Sequence, residues 1–448
     1  TGLGAKVLLI EKHKMGGDCL NTGCVPSKAL LKLSHGIKHS NNLNKFGINI
    51  KSETPDLKTV MDYVRASIGK IEPKDSKSKY EKIGVKVLFG DATLLSEHEV
   101  TINNSTYSGK NIVIATGSRP FIPSIDGLED IDYLTSENVF ELDVLPKKLM
   151  VIGAGPIGLE LGQGFSNLGS EVHIMNRTDK IFLNDDEEVG PFMLDKLNED
   201  LIFHMDTQIL KISKMNDKVE VIVSKDGKTS VVEVDNILIS TGRAPNIEGL
   251  GLEKVGILTN KRGYISTDLK MRTNIKNIYA CGDISGNFGF THMAGYEAGI
   301  VIRNSIFKFP YKADYTKVAW TTFTSPSVAH TGLTEEMAKK QGVFGSKIVL
   351  DFKGNDRFMI ENEDGFIKVI LDNKGRVLGA TIVSDDASEL LHSFSLLIQR
   401  KLKITEFMNL IIPYPMRGDI LKELSIIKSK EMLTPFTKKL IKNVFLKL

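Results

Sequence analysis

Two cysteines five residues apart, Cys19 and Cys24, sit in the segment GGDCLNTGCVPSK (16–28). On an ideal helix that spacing leaves the side chains about 140° out of phase, so a regular helix would point the thiols apart. Gly23 between them and Pro26 after them permit a distorted turn that brings the sulfurs together. A disulfide over so short a loop gains little from chain entropy. Strained or exposed disulfides are also the ones that cycle easily. The pair therefore reads as a reversible redox couple. No second Cys or His pair lies nearby to complete a four-ligand site, so no metal centre is expected. Two chemically inert cysteines are the alternative.

A second segment could hold a dinucleotide. Gly153, Gly155 and Gly158 follow the aliphatic run LMVI (149–152) and open an apolar helical stretch, 157–168. Between a strand and a helix, that glycine spacing gives a tight turn, close approach to a pyrophosphate and a helix N-terminus facing the anion. The next strand-like run ends at Met175, followed by Asn176 and Arg177. An acid there would bind the ribose of NAD; an arginine can hold the 2′-phosphate of NADP. Arg177 therefore leans the reading toward NADPH, with a solvated loop arginine as the alternative.

The chain opens on AKVLLIEK (5–12), a buried strand ending on the acid Glu11. Such an acid ordinarily lies about 20 residues after a Gly-rich turn. The expectation is that a strand–turn–helix piece of about 25–30 residues is lacking ahead of it.

Other elements must position these residues. The runs 7–10, 111–115, 149–152, 172–175 and 236–240 read as parallel strands covered on both faces. Gly117, Gly153 and Gly242 lie just past three of them, where ligands sit in doubly wound sheets. Residues 146–148 (Pro-Lys-Lys) look like a hinge into a second unit. Beyond Pro310 the alternating segments 366–371 and 377–383 suggest an antiparallel sheet with helices.

Composition limits the function. The 448 residues allow about two to four domains. The net charge of +3 is too small to argue for nucleic acid. Three cysteines are too few for a secreted disulfide scaffold, so a reducing, cytoplasmic setting is expected. No apolar run approaches the ~18 residues of a spanning helix, and no signal peptide opens the chain.

Together these segments resemble the class I flavoprotein disulfide reductases, the group of dihydrolipoamide dehydrogenase, glutathione reductase and mercuric reductase. The resemblance runs through essentially the whole chain, in order. Glu11 matches the acid on the adenosine ribose of FAD, and Gly90-Asp91-Ala92 a backbone contact to adenine, where Ala92 would lie. Thr116 and Gly117 lie in one strand-end turn, and Gly242, with the TGRAPN segment 241–246, in the other. Gly17 belongs to the flavin-side loop, Asp283 to the turn on the ribityl chain, and Thr291 to the segment THMA beside the flavin. Phe323 to Ala329 (FTSPSVA) and 332–335 (GLTE) resemble the opening of the family's dimerisation domain.

The resemblance assigns roles. Cys24 would face the flavin and Cys19 attack the substrate. Lys28 matches a lysine beside flavin N5, and Glu160 its ion-pair partner. A thiolate near a cation has a lowered pKa and becomes a usable nucleophile, and a buried lysine needs a partner to stay charged. One departure matters. The family's C-terminal dyad is a His followed by Pro, with an acid five residues after the His; here Tyr414, Pro415 and Asp419 take those positions. A tyrosine with a pKa near ~10 is a poor base at neutral pH. Tyr at this point resembles mercuric reductases, which also carry a cysteine pair near the C-terminus, while no cysteine follows Cys281 here. Tyr414 as a packing residue is the alternative.

The expected fold is α/β: two Rossmann-like dinucleotide-binding domains plus an α+β C-terminal dimerisation domain. The FAD-binding domain spans 1–145 and resumes at 266–312, the NAD(P)-binding domain spans 146–265, and the interface domain 313–448. The expected activity passes electrons from NAD(P)H through FAD and Cys19–Cys24 to a disulfide-like or thiophilic-metal substrate, in a homodimer. The alternatives are a flavin reductase of quinones or dioxygen, and a fragment retaining only nucleotide binding or dimerisation. The basic stretch 435–448 pairs an apolar stripe (Phe436, Leu440, Val444, Leu448) with Lys438, Lys439, Lys442 and Lys447. It suits packing on the dimer surface or a peripheral membrane contact.

Overall fold

Short aliphatic runs become parallel strands. The computed structural model describes the chain except residues 3, 49, 51–54, 432 and 445–448. It divides into two units: Thr1–Asp179 with Leu197–Asp314, and Lys180–Lys196 with Tyr315–Leu448.

In the first unit, Val7–Glu11 pairs in parallel with Val85–Phe89, register Glu11 to Phe89. Ile112–Ile114 pairs likewise with Ile278–Ala280. A four-stranded parallel sheet follows in the order Ile202–His204, Glu171–Met175, Lys148–Ile152, Asn236–Ile239. Numbered along the chain this is 3-2-1-4, the order of a dinucleotide-binding sheet. Its central strand buries Leu149, Met150 and Val151 completely. The apolar helix Pro156–Asn167 lies against it, with Phe165 fully buried. A meander of Gln208–Met215, Lys218–Lys225 and Lys228–Val234 shares a core with this sheet through Val221, Ile212 and Ile237.

Two expected strands are shorter than their apolar runs. The run 111–115 forms a strand only over Ile112–Ile114, and 236–240 only over Asn236–Ile239. The second ends early because the Ser240 hydroxyl turns to donate to the carbonyls of Ile152 and Gly153. It thereby ties two neighbouring strand ends at the glycine turn.

The second unit is built on an antiparallel sheet, as the alternation over 366–371 and 377–383 implies. Its order is Ala319–Thr322, Ser327–Gly332, Val377–Ser384, Phe366–Leu371, Ser346–Asp351. Helix Ala387–Arg400 covers it and buries Leu391, Phe394 and Leu397 with Ile367, Val369 and Ile382. Helix Asp419–Glu431 adds Ile420, Leu421 and Leu424 to the same core. The C-terminal helix spans Pro435–Val444 and buries none of its residues; the expected continuation to 448 lies outside the described residues.

One strand breaks the rule that charges stay outside. Lys368, in the middle of Phe366–Leu371, has a side chain 1% exposed. Its ammonium meets Asp186 Oδ1 at 3.2 Å, Glu188 Oε2 at 2.6 Å and Glu335 Oε2 at 2.7 Å. Asp186 is equally buried and also accepts from Thr381 Oγ1 and the Glu335 amide. The three carboxylates lie close enough to ligate an ion, but the lysine already supplies the cation. Burial would push the Glu335 carboxyl up; hydrogen bonds from Lys339, Lys347 and Lys368 outweigh it and hold the group at about 2. Segment Lys180–Lys196 is thus fastened to the sheet of this unit by charge. Replacing Lys368 with Ala leaves Asp186 buried without its cation, and the expected cost is about 3–5 kcal/mol. Urea unfolding followed by circular dichroism checks this; a loss under about 1 kcal/mol would mean that water relaxes into the site.

Candidate functional site

The two cysteines lie on different helices. Gly17–Asn21 carries Cys19 and ends at Thr22, whose amide donates to Asp18 O at 2.9 Å. Gly23 then turns the chain with φ −117° and ψ −109°, and Cys24 starts the helix Cys24–Asn42. This break cancels the out-of-phase spacing. Pro26 is buried in the first turn of the new helix, where no amide donor is needed. Cys19 and Cys24 are free thiols joined by a hydrogen bond.

That hydrogen bond makes the two sulfurs unequal. The Cys19 S–H lowers Cys24, burial opposes it, Thr291 and Lys28 lower it further, and the Asp18 carboxylate raises it; the balance holds Cys24 at about 6. Cys19 is pushed far above its ordinary value, first by the bond to Cys24 and then by burial. The thiolate is thus favoured on Cys24 and disfavoured on Cys19. Thr291, the first residue of helix Thr291–Ser305, places its hydroxyl 3.4 Å from Cys24 Sγ. Lys28 follows Cys24 by one turn, and its Nζ lies 2.6 Å from Glu160 Oε2. Glu160 is buried in helix Pro156–Asn167. The expected Lys28–Glu160 pair is therefore present.

The cofactor-side residues gather at strand ends. Glu11 closes its strand beside Phe89, and its carbonyl accepts from the Gly90 amide at 2.9 Å, which sets the 90–92 turn with Ala92 next to it. Its carboxylate accepts from the His13 amide. Thr116 and Asn246 bond twice, Oγ1 to O at 2.8 Å and Nδ2 to O at 2.9 Å, and the Asn246 amide donates to Gly117 O. Gly242 accepts from the Phe121 amide, so the two strand-end turns are locked together. Gly17 opens the Cys19 helix with φ +59°. These groups fit the adenosine, pyrophosphate and ribityl parts of FAD: an acid at a strand end, bare turns, and the Asp283 carboxylate.

The nicotinamide-side turn needs its glycines. A Cβ at Gly153, whose φ is +107°, would lie 2.6 Å from Ser240 O, and one at Gly158 2.2 Å from Gly153 O. Gly155 caps helix Pro156–Asn167 with no side chain in the way of an anion. That is the cradle a dinucleotide pyrophosphate requires. Asn176 spends its amide on Thr178 O and Oγ1, both at 3.0 Å, so it shapes the loop. Arg177 is exposed.

The C-terminal dyad differs from expectation. Tyr414 Oη donates to Asp356 Oδ2 at 2.7 Å. Asp419 instead accepts from the Met416 amide at 3.1 Å, as first residue of its helix. Tyr414 thus bonds Asp356, while Asp419 closes the 416–419 turn. Its bond to Asp356, then the charges of Asp356 and Asp419, push the Tyr414 phenol further above its ordinary range. Arg417 fixes the same loop through Glu361, Glu363 and Asp386 at 2.5–2.6 Å.

Several contributors escape a sequence reading. Glu297 is fully buried and takes the Gly282 amide at 2.7 Å, holding the turn that carries Asp283. Asp18, Ser118 and Arg243 lie inside or beside quoted motifs but carry no chemistry there by type. Asp356 lies 58 residues from Tyr414, with no local signal at all. In the reduced protein, thiolate absorbance in the ultraviolet should titrate with a midpoint near pH 6 and vanish in Cys24→Ser. A midpoint near 9, the ordinary thiol value, would contradict the assignment.

Comparison with known proteins agrees with this geometry. Residues 1–298 match the family described as "Pyridine nucleotide-disulphide oxidoreductase", and 318–425 its dimerisation domain. A mercuric reductase of Staphylococcus aureus is 32% identical over 436 residues, 96% of this chain and 79% of the relative. A dihydrolipoyl dehydrogenase of Bacillus subtilis is 34% identical over 430 residues, 94% and 91% of the two chains. Among solved structures, the HOCl-induced flavoprotein disulfide reductase RclA of Escherichia coli superposes with a TM-score of 0.84 at 25% identity, over 95% of both chains. With its glycine turns at strand ends, its paired cysteines Cys19 and Cys24 and its C-terminal sheet domain, the chain belongs to the pyridine nucleotide–disulfide oxidoreductases, the NAD(P)H-dependent, FAD-containing homodimeric enzymes.

Proposed function

We propose that this oxidoreductase uses the Cys19–Cys24 couple to reduce a thiophilic metal ion or another acceptor that needs no proton relay, with NADPH as the preferred donor. The observation that carries the reading is the state of Tyr414. Its one proton is committed to Asp356 at 2.7 Å, and the carboxylate raises its pKa. A dithiol substrate needs a base for its thiol proton, and a disulfide needs an acid to return one. Such catalysis contributes roughly 10²–10⁴-fold and works best near the operating pH. Tyr414 meets that condition for neither.

Bound FAD supplies the two-electron relay between nicotinamide and the cysteines. It would be held by Glu11, Ala92, Gly17, Thr116, Gly117, Asp283 and Thr291, and the nicotinamide dinucleotide by Gly153, Gly155, Gly158 and Gly242, with Asn176 shaping the ribose loop. The protein's own part is to keep a thiolate on Cys24 and a proton on Cys19. Lys28 places a positive charge beside Cys24, and its ion pair with Glu160 fixes where that charge sits. Soft metal ions bind thiolate sulfur well, and a mercuric reductase stands among the relatives. For donor choice, Arg177 is an exposed cation just past the strand Glu171–Met175, and Asn176 stands where a ribose-binding acid would. For a peripheral lipid contact the C-terminal helix offers an exposed stripe of Phe436, Leu440 and Val444.

Steady-state rates of the FAD-loaded dimer test the acceptor. Mercuric ion as a thiol complex should be turned over well, dihydrolipoamide and glutathione disulfide poorly, and Tyr414→His should raise the dithiol rates by about tenfold or more. Wild-type dihydrolipoamide turnover at ordinary enzymatic rates would overturn the proposal. For the donor, Arg177→Glu should erase a preference for NADPH over NADH; equal use of both by the wild type would refute it.

A further inference from the structure

Asp18 presents a puzzle: a carboxylate one residue from Cys19 disfavours the thiolate that the site is built to hold. Arg243 answers it. Its Nη2 donates to Asp18 Oδ2 at 2.5 Å. The same guanidinium donates to Ser118 Oγ at 2.7 Å and Ser118 O at 2.8 Å, and its Nε lies 3.6 Å from Asp283 Oδ2. Ser118 donates its own proton to Asp283 Oδ2 at 2.6 Å. The arginine backbone is held as well: Arg243–Pro245 pairs with Ser118–Pro120, and Tyr264 Oη donates to the Arg243 carbonyl at 2.9 Å.

We propose that Arg243 is a positioning residue for the redox couple: it screens Asp18 and ties the helix carrying Cys19 to the turn carrying Asp283. This rests on the reading of Cys19–Cys24 as the couple that cycles. The charged and titratable groups that act on Cys24 are Cys19, Lys28 and Asp18, with Lys28 paired to Glu160 and Thr291 contributing a neutral hydroxyl. Of the charges, Lys28 favours the thiolate and Asp18 opposes it, so pairing Asp18 with a cation shifts the balance toward Cys24 thiolate. An arginine suits the place because its planar fork reaches Asp18 and Ser118 at once, which the single nitrogen of a lysine does not. The pairing also makes the Asp283 seat and the Cys19 helix parts of one network. A change at either is then felt at the other through Arg243.

The test is the pH midpoint of the long-wavelength thiolate–flavin band in the two-electron-reduced holoenzyme, with FAD content measured on the same samples. Arg243→Gln should raise the midpoint by about one pH unit, a tenfold change in proton activity. Adding Asp18→Asn to that variant should bring most of it back, and Arg243→Lys should fall between. An unchanged midpoint in Arg243→Gln overturns the proposal. So does a shift of the same size with and without Asp18→Asn, since Arg243 would then act independently of Asp18. Should Arg243→Gln not retain FAD, ultraviolet thiolate titration of the apoprotein against Cys24→Ser reads the same shift. Absence of any band in the wild type at every pH, with FAD bound, would instead refute the redox role of Cys24 itself.

Discussion

A carboxylate buried in protein needs a partner for its oxygens, and Glu160 is such a carboxylate. Its answer is Lys28, 2.6 Å away. That ion pair fixes two helices to each other, the one behind the nucleotide turn and the one that begins at Cys24. It also fixes where the positive charge sits, one turn from a sulfur that accepts its neighbour's S–H. Breaking one partner of a buried pair is strongly destabilising, whereas the pair itself adds little net stability. The value of Lys28–Glu160 therefore lies in position: it holds the helix that begins at Cys24 where the Thr291 hydroxyl lies 3.4 Å from Cys24 Sγ.

The second unit applies the same physics for another purpose. Lys368 is more deeply buried than Lys28, and Asp186, Glu188 and Glu335 surround it. Its ammonium bonds to carboxylates alone among the described residues, so this cluster fastens segment Lys180–Lys196 to its sheet. The contrast separates a structural cluster from a chemical one. At Lys28 the charge lies beside a thiol; at Lys368 it is bonded to three carboxylates that hold the segment in place.

Much of this was legible in the sequence because it is local. The Cys19–Cys24 spacing, the glycines at 153, 155 and 158 and the strand-end acid Glu11 each state their own geometry within a few residues. Gly23 between the cysteines announced the break that lets the thiols meet. Long-range polar contacts were not legible. The bond of Tyr414 to Asp356 joins a loop and a helix far apart in the chain, and nothing in either segment marks it. Asp419 looked like the partner of Tyr414 because of its spacing, but a helix-initiating Asp has nearer amides to satisfy. Lys368 was hidden for the opposite reason: its neighbours Phe366, Ile367, Val369 and Ile370 read as ordinary strand, and only the fold shows that both faces are covered.

In the proposed function, Cys19 and Cys24 store a pair of electrons between nicotinamide and acceptor. Anaerobic titration of the FAD-loaded enzyme with NADPH measures this directly. If the couple works as described, the wild type takes up one more electron pair per subunit than Cys24→Ser before excess NADPH accumulates. Equal uptake by the two proteins, with equal FAD content, would contradict it.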